Sequence, residues 1–123
     1  MIFYGFKKKK NNPLPPCPST PNCIRVSRDL EAGLEQVCER LMLLFEEEAH
    51  EFEVIDPKRI ELHAVYRIPV FGFKDDVDVI MEEAEGVTTV HIRSASRLGA
   101  YDLGVNKRRV KRIFRKLNSK ISD

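Results

Sequence analysis

No apolar run in this 123-residue chain approaches the roughly 18–20 residues that a membrane-spanning helix needs, so the sequence predicts no transmembrane segment. It holds no glycine-rich phosphate loop, no C-x-x-C pair and no recognisable nucleophile motif. Nucleotide binding and thiol redox chemistry are therefore left without a signature, and nothing calls for a cofactor. There is no internal repeat and no linker long enough to divide the chain. Charge of one sign is also scarce: the net value is +2, too small to argue for nucleic acid by itself. The start, MIFYGF followed by KKKK, reverses the order of a secretory signal and is too short for its apolar region. A cytoplasmic protein is the expectation, with a peripheral membrane contact through this basic-aromatic start as the alternative.

What is present fits one soluble domain. Hydrophobic residues make up 42% and charged residues 33%, a balance that supports a core and excludes a disordered chain. The charges are segregated: nine acids fall between Asp29 and Glu53, whereas ten basic residues between Arg93 and Lys120 face Asp102 alone. Such a split gives solvated helix faces, or two helices that complement each other. The segment NNPLPPCPSTPNC contains five of the seven prolines and is incompatible with a regular helix. Residues 1–26 are thus read as an irregular lead-in, and 27–121 as a single α+β domain. Cys17 and Cys23 flank a turn-forming stretch. Free thiols in a structural turn, a disulfide and a metal site are the three readings. No close Cys or His partner favours zinc, and a cytoplasmic setting disfavours a stable bond. Cys38 falls on an apolar helical stripe and reads as a small core residue.

Ser27 or Asp29 can cap a helix running to about Glu48, with Leu30, Leu34, Val37, Cys38, Leu41, Leu44 and Phe45 on one stripe. Four period-two segments follow, around Phe52–Val54, Ile60–Tyr66, Asp76–Glu82 and Thr89–Arg93, with Glu85-Gly86 as a hairpin turn. A last helix from about Lys107 to Lys120 carries Val110, Ile113, Phe114, Leu117 and Ile121, with Asn106 as its N-cap and Val105 and Val110 at staple spacing. The architecture expected is helix, four-stranded antiparallel sheet, helix, with both helices on one face.

Two groups of residues carry candidate chemistry. On the sheet face away from the helices, His63 and His91 accompany Asp76 and Asp78, types that can exchange protons near neutral pH. After the fourth strand, RSASRLGAYDLGVNKRR places Arg93, Ser94, Ser96, Arg97, Asp102, Asn106 and Arg109 around two glycines and a helix start. Guanidiniums, hydroxyls and a helix N-terminus make an anion or carboxylate pocket, unless Asp102 and Asn106 satisfy the loop internally.

Three functions follow. The first is a non-enzymatic module binding a small anionic or amphipathic ligand, or a protein partner. The second is a hydrolase-like or other enzyme using His63 or His91 with Asp76 or Asp78. The third is nucleic-acid contact through the basic last helix, at Lys107, Arg108, Lys111, Arg112, Arg115 and Lys116; the lack of an evident aromatic stacking platform weighs against it.

The strings LPPCPSTPNC, IELHAVYRIPVFGFKDDVDVIME and VHIRSASRLGAYDLGVNKRRV also carry a resemblance. Together they resemble the family catalogued as domain of unknown function 1499, over about residues 14–117. The resemblance implies no established activity and no catalytic residues to carry over. It implies membrane-attached or exported relatives with an added N-terminal segment, a pattern from which this chain departs.

Overall fold

A computed structural model describes residues 11–56, 60–69, 72–99 and 102–122. The elements are β1 (Cys23–Leu30), α1 (Leu34–Glu48), β2 (Glu51–Asp56), β3 (Glu61–Arg67), β4 (Lys74–Ala84), β5 (Val87–Ser96) and α2 (Val105–Ser122). The strands form one antiparallel sheet in the order β1-β5-β4-β3-β2. The expected four-stranded sheet, opened by a helix, is thus corrected to five strands with a strand first; the class stays α+β. The β2-to-β5 stretch is the meander expected from the short connections.

The strand missed was β1. Its residues do alternate, with Ile24 and Val26 packed against the core between exposed Arg25 and Ser27. Ser27 and Asp29 resemble helix caps, but they are engaged across the sheet instead. The Ser27 hydroxyl meets His91, and Asp29 accepts a bond from the Thr89 hydroxyl at 2.7 Å. Helix α1 begins only at Leu34, whose N–H donates to Glu83 Oε1 at 3.0 Å, so a carboxylate from β4 caps it. The β4–β5 hairpin turns at Glu85 and Gly86, both with positive φ, as a two-residue hairpin turn demands.

Both helices cover the same face. Leu62, Val79, Ile92 and Val26 stand in one row across four strands. They share a buried cluster with Val37, Leu41 and Phe45 of α1 and with Val110, Ile113, Phe114 and Leu117 of α2. Phe45 lies at its centre, with ring centroids 5.8 Å from Phe52 and 6.3 Å from Tyr66. Each such side chain contributes roughly 1.5–3 kcal/mol by leaving water, so this cluster dominates the stability. Ile121, read onto the same stripe, has a side chain outside the described residues.

The opposite face is not simply wet. Val65 and Ile80 are buried there. The proline-rich segment runs beside β1, where Leu14 is buried and its carbonyl accepts a bond from Arg25 Nη1 at 2.8 Å. Among the described residues no helix is long and apolar enough to cross a membrane.

Candidate functional site

The end of β5 distributes RSASR over both faces. Pleating turns Ser94 and Ser96 toward the helices and Arg93 and Arg97 away from them, so the three arginines proposed to share an anion are not brought together. Arg97 instead holds Asp76 with Nε and Nη2, both at 2.9 Å. Arg93 lies in register between Asp78 and Arg25.

The inward half is a hydrogen-bonded network. The Ser94 hydroxyl donates to Asn106 Oδ1 at 2.5 Å, and Arg109 Nη1 reaches the same oxygen at 2.7 Å. Arg109 Nη2 sits 2.8 Å from Asp75 Oδ2, and the guanidinium lies over the Tyr66 ring at 4.6 Å. Asn106 Nδ2 donates to Ser96 Oγ at 2.9 Å and to Asp102 Oδ2 at 2.6 Å. It also reaches the carbonyl of Asn22, whose own side chain bonds the Gly99 carbonyl. Asp75 is 0% exposed and Arg109 5%, so this is a buried ion pair in the core.

Asn106 lies inside the first turn of α2 and is not its cap. Asp102 caps, accepting from Gly104 N–H at 2.8 Å and Asn106 N–H at 2.9 Å. Burial alone would raise the Asp102 carboxyl, but the bonds from Asn106 and Gly104 outweigh it and hold the group below the ordinary carboxylate range. Gly104 between them has a φ of +80°, in the left-handed region where a side chain would be strained.

The two histidines sit apart on the other face. His63 Nδ1 is 2.6 Å from Asp78 Oδ1, and its Nε2 is 3.3 Å from Asp76 Oδ1. His91, 0% exposed, meets neither aspartate. Its Nδ1 is 2.7 Å from the exposed Ser27 Oγ and its Nε2 is 2.8 Å from Glu82 Oε2, while Asn12 Nδ2 donates to Ser27 Oγ at 3.0 Å. Sequence reasoning missed Ser27, Glu82 and Asn12, since only the unrecognised β1–β5 register joins the first to His91. On the last helix, Arg112 and Lys116 turn back onto Glu48 at 3.2 and 2.5 Å, which leaves Lys107, Arg108, Lys111 and Arg115 outward. Cys17 and Cys23 are joined in a disulfide, and Cys38 is free.

Sequence reasoning also missed an apolar concavity, because half of it lies off the predicted stripe. Beside α1 a cleft of about 690 Å³ is floored by Leu34, Cys38, Met42, Leu43, Phe52 and Ile60. Its described rim is acidic, with Glu35, Glu39, Glu46 and Glu83 and no basic residue. Within it the Cys38 thiol lies 3.8 Å from the Met42 sulfur, and burial pushes the thiol pKa up.

The family model described as Protein of unknown function (DUF1499) matches residues 13–117. The chain belongs to that family. No curated protein matches it. The match to DUF1499 takes in the whole sheet and most of α2, including the Asp102–Asn106–Arg109 network, but begins after Asn12.

Proposed function

We propose that this DUF1499 chain is a non-enzymatic binding module, and that its ligand is an amphipathic molecule with a positively charged group held in the α1 cleft. One observation carries this reading: an apolar floor and an acidic rim converge on one concavity of about 690 Å³. That volume is in the range of small-molecule sites, which combine a mostly apolar lining with few charged groups. The rim favours a cation and opposes an anion. Ser94, Ser96, Asp102, Asn106 and Arg109 then serve as scaffold, holding α2 to the sheet end. Calorimetry with dodecyltrimethylammonium and dodecyl sulfate, both below micelle formation, tests the reading. Saturable binding of the cation alone, weakened by Glu39→Gln with Glu46→Gln, is expected. Equal binding of both amphiphiles, or of neither, would overturn it.

A second reading is an enzyme built on His91. It is favoured by the chain Ser27 Oγ–His91–Glu82, in which an exposed hydroxyl meets an imidazole whose other nitrogen faces a carboxylate. A fluorophosphonate probe that labels Ser27 in the native protein, and not in the urea-unfolded one, would support it. Absence of label at Ser27 would remove it.

A further inference from the structure

β2 is an edge strand whose outer side is open. In the order β1-β5-β4-β3-β2 it pairs with β3 alone, so alternate N–H and C=O groups along its other side have no partner strand among the described residues. The edge at β1 is treated differently, for there Asn12 Nδ2 takes the Val26 carbonyl at 3.3 Å. β2 also lacks cover on its inner face. Val54 stands opposite Leu62 on the core side of the sheet, yet Leu62 is 0% exposed and Val54 42%. Ile55, in the bulge between Val54 and Asp56, is 50% exposed, and Leu43 of α1 is 49%. Leu43 and Phe52 both belong to the floor of the α1 cleft, so the open edge and the cleft form one surface. Single exposed leucines are common, whereas apolar side chains gathered along an unpaired edge are what a strand-binding groove presents.

The charges select the occupant. Exposed Glu51 and Glu53 lie on the outer face of β2, and Glu35, Glu39, Glu46 and Glu83 rim the cleft. Some positive charge is near. Arg97 feels Glu51 but is already held by Asp76 through two bonds, and His63, opposite Glu53, is held by Asp78. His50 precedes β2, Arg67 of β3 stands beyond its last pair with β2, and Lys58 and Arg59 lie outside the described residues. The glutamates outnumber the cations not already paired, even with those two counted. A second copy of this chain would set Glu51 and Glu53 against the same residues, so like charges oppose self-pairing. A basic strand meets no such barrier.

We propose that β2 accepts an extended, basic segment of a partner protein as a further strand of the sheet. This rests on the reading of the cleft given above and names the class of its ligand. Apolar side chains of the segment follow Phe52 and Val54 toward the cleft, and the lysines or arginines that alternate with them face Glu51 and Glu53. Main-chain bonds to the edge supply affinity, and the alternate side chains supply specificity.

A capped heptapeptide alternating lysine with valine or leucine is the probe, titrated into the whole chain by calorimetry. It should bind saturably, about tenfold or more tightly than an isomer of the same composition with its lysines grouped at one end. Two further versions carry N-methyl groups at alternate residues, along one edge of the strand or along the other. Only one edge of an added strand faces β2, so one version should keep binding and the other lose about tenfold or more. Glu53→Gln should weaken the parent peptide several-fold and leave Tm near that of wild type, which separates docking from misfolding. The proposal is overturned if the parent peptide does not bind, if the grouped isomer binds as well, or if both N-methylated versions behave alike. Dodecyltrimethylammonium, measured beside them, keeps the two readings apart. Its binding alone removes the added strand and leaves the cleft a small-molecule site; binding of the peptide alone keeps the strand and removes the small amphiphile; failure of both removes both.

Discussion

Asp102 is bonded to Asn106 twice over, its Oδ2 accepting the Asn106 backbone N–H at 2.9 Å and the side-chain Nδ2 at 2.6 Å. The carboxylate thus stands at the helix N-terminus, where an external anion would bind, and one residue closes the loop, caps the helix and orients the amide that serves Ser96.

That relationship sets an acid dependence. The folded-state pKa of Asp102 lies below its ordinary value of about 3.9, so its contribution is present above that pH and is lost as pH falls through the lower folded value. Urea midpoints should drop below about pH 4, and Asp102→Asn should flatten this limb. Asp102→Ala should lose about 0.5–2 kcal/mol at neutral pH.

Arg109 and Asp75 are both buried and pair as ions at 2.8 Å, while neither Asp75 carboxylate oxygen makes a hydrogen bond. Removing one charge strands the other. Arg109→Met should destabilise by about 3–5 kcal/mol, and adding Asp75→Leu should restore much of that loss. A double-mutant cycle by chemical denaturation reads the coupling, and additive losses would contradict it.

The Cys17–Cys23 bond closes a short loop at the start of β1, next to Asn22 and its contacts to Gly99 and Asn106. Closing a loop of this size contributes about 2 kcal/mol in the chain-entropy model. Reductant should lower Tm, and Cys17→Ser/Cys23→Ser should be insensitive to it. Thiol trapping of protein taken from cells would decide between a reducing cytoplasm and an oxidising compartment.

Cys38 reports on the cleft. With its thiol pKa raised by burial, alkylation by iodoacetamide should be slow at neutral pH and accelerate as pH rises above the ordinary thiol value. Dodecyltrimethylammonium should protect it, whereas dodecyl sulfate should not.

Long periodic segments were legible from the sequence. The stripe of Val37, Leu41, Leu44 and Phe45, the alternation of Leu62, Ala64 and Tyr66, and the turn at Glu85-Gly86 all stand where spacing puts them. β1 was not, because Ser27 and Asp29 are good caps and its pairing depends on β5, far along the chain. The partition of RSASR over two faces follows from pleating alone and was available once Ile92 was placed inward. Asp102 could be named as a hydrogen-bond acceptor, but its capping role needed the positive φ of Leu103 and Gly104. The cleft had no sequence signal, since it arises where α1 stands off β2 and β3.

The pairing of β1 with β5 has a consequence for the order of assembly. Cys23 finds Ala95, its partner across the ladder, only after the four-stranded meander between them has been made. During synthesis β1 emerges first and remains without its neighbour, while β2 to β5 can form from near contacts. The first strand made is therefore the last to be seated. Until then the outer edge of β5 is open, and at high concentration the β1 of a second chain can occupy it, making a strand-exchanged dimer the characteristic misassembly of this fold.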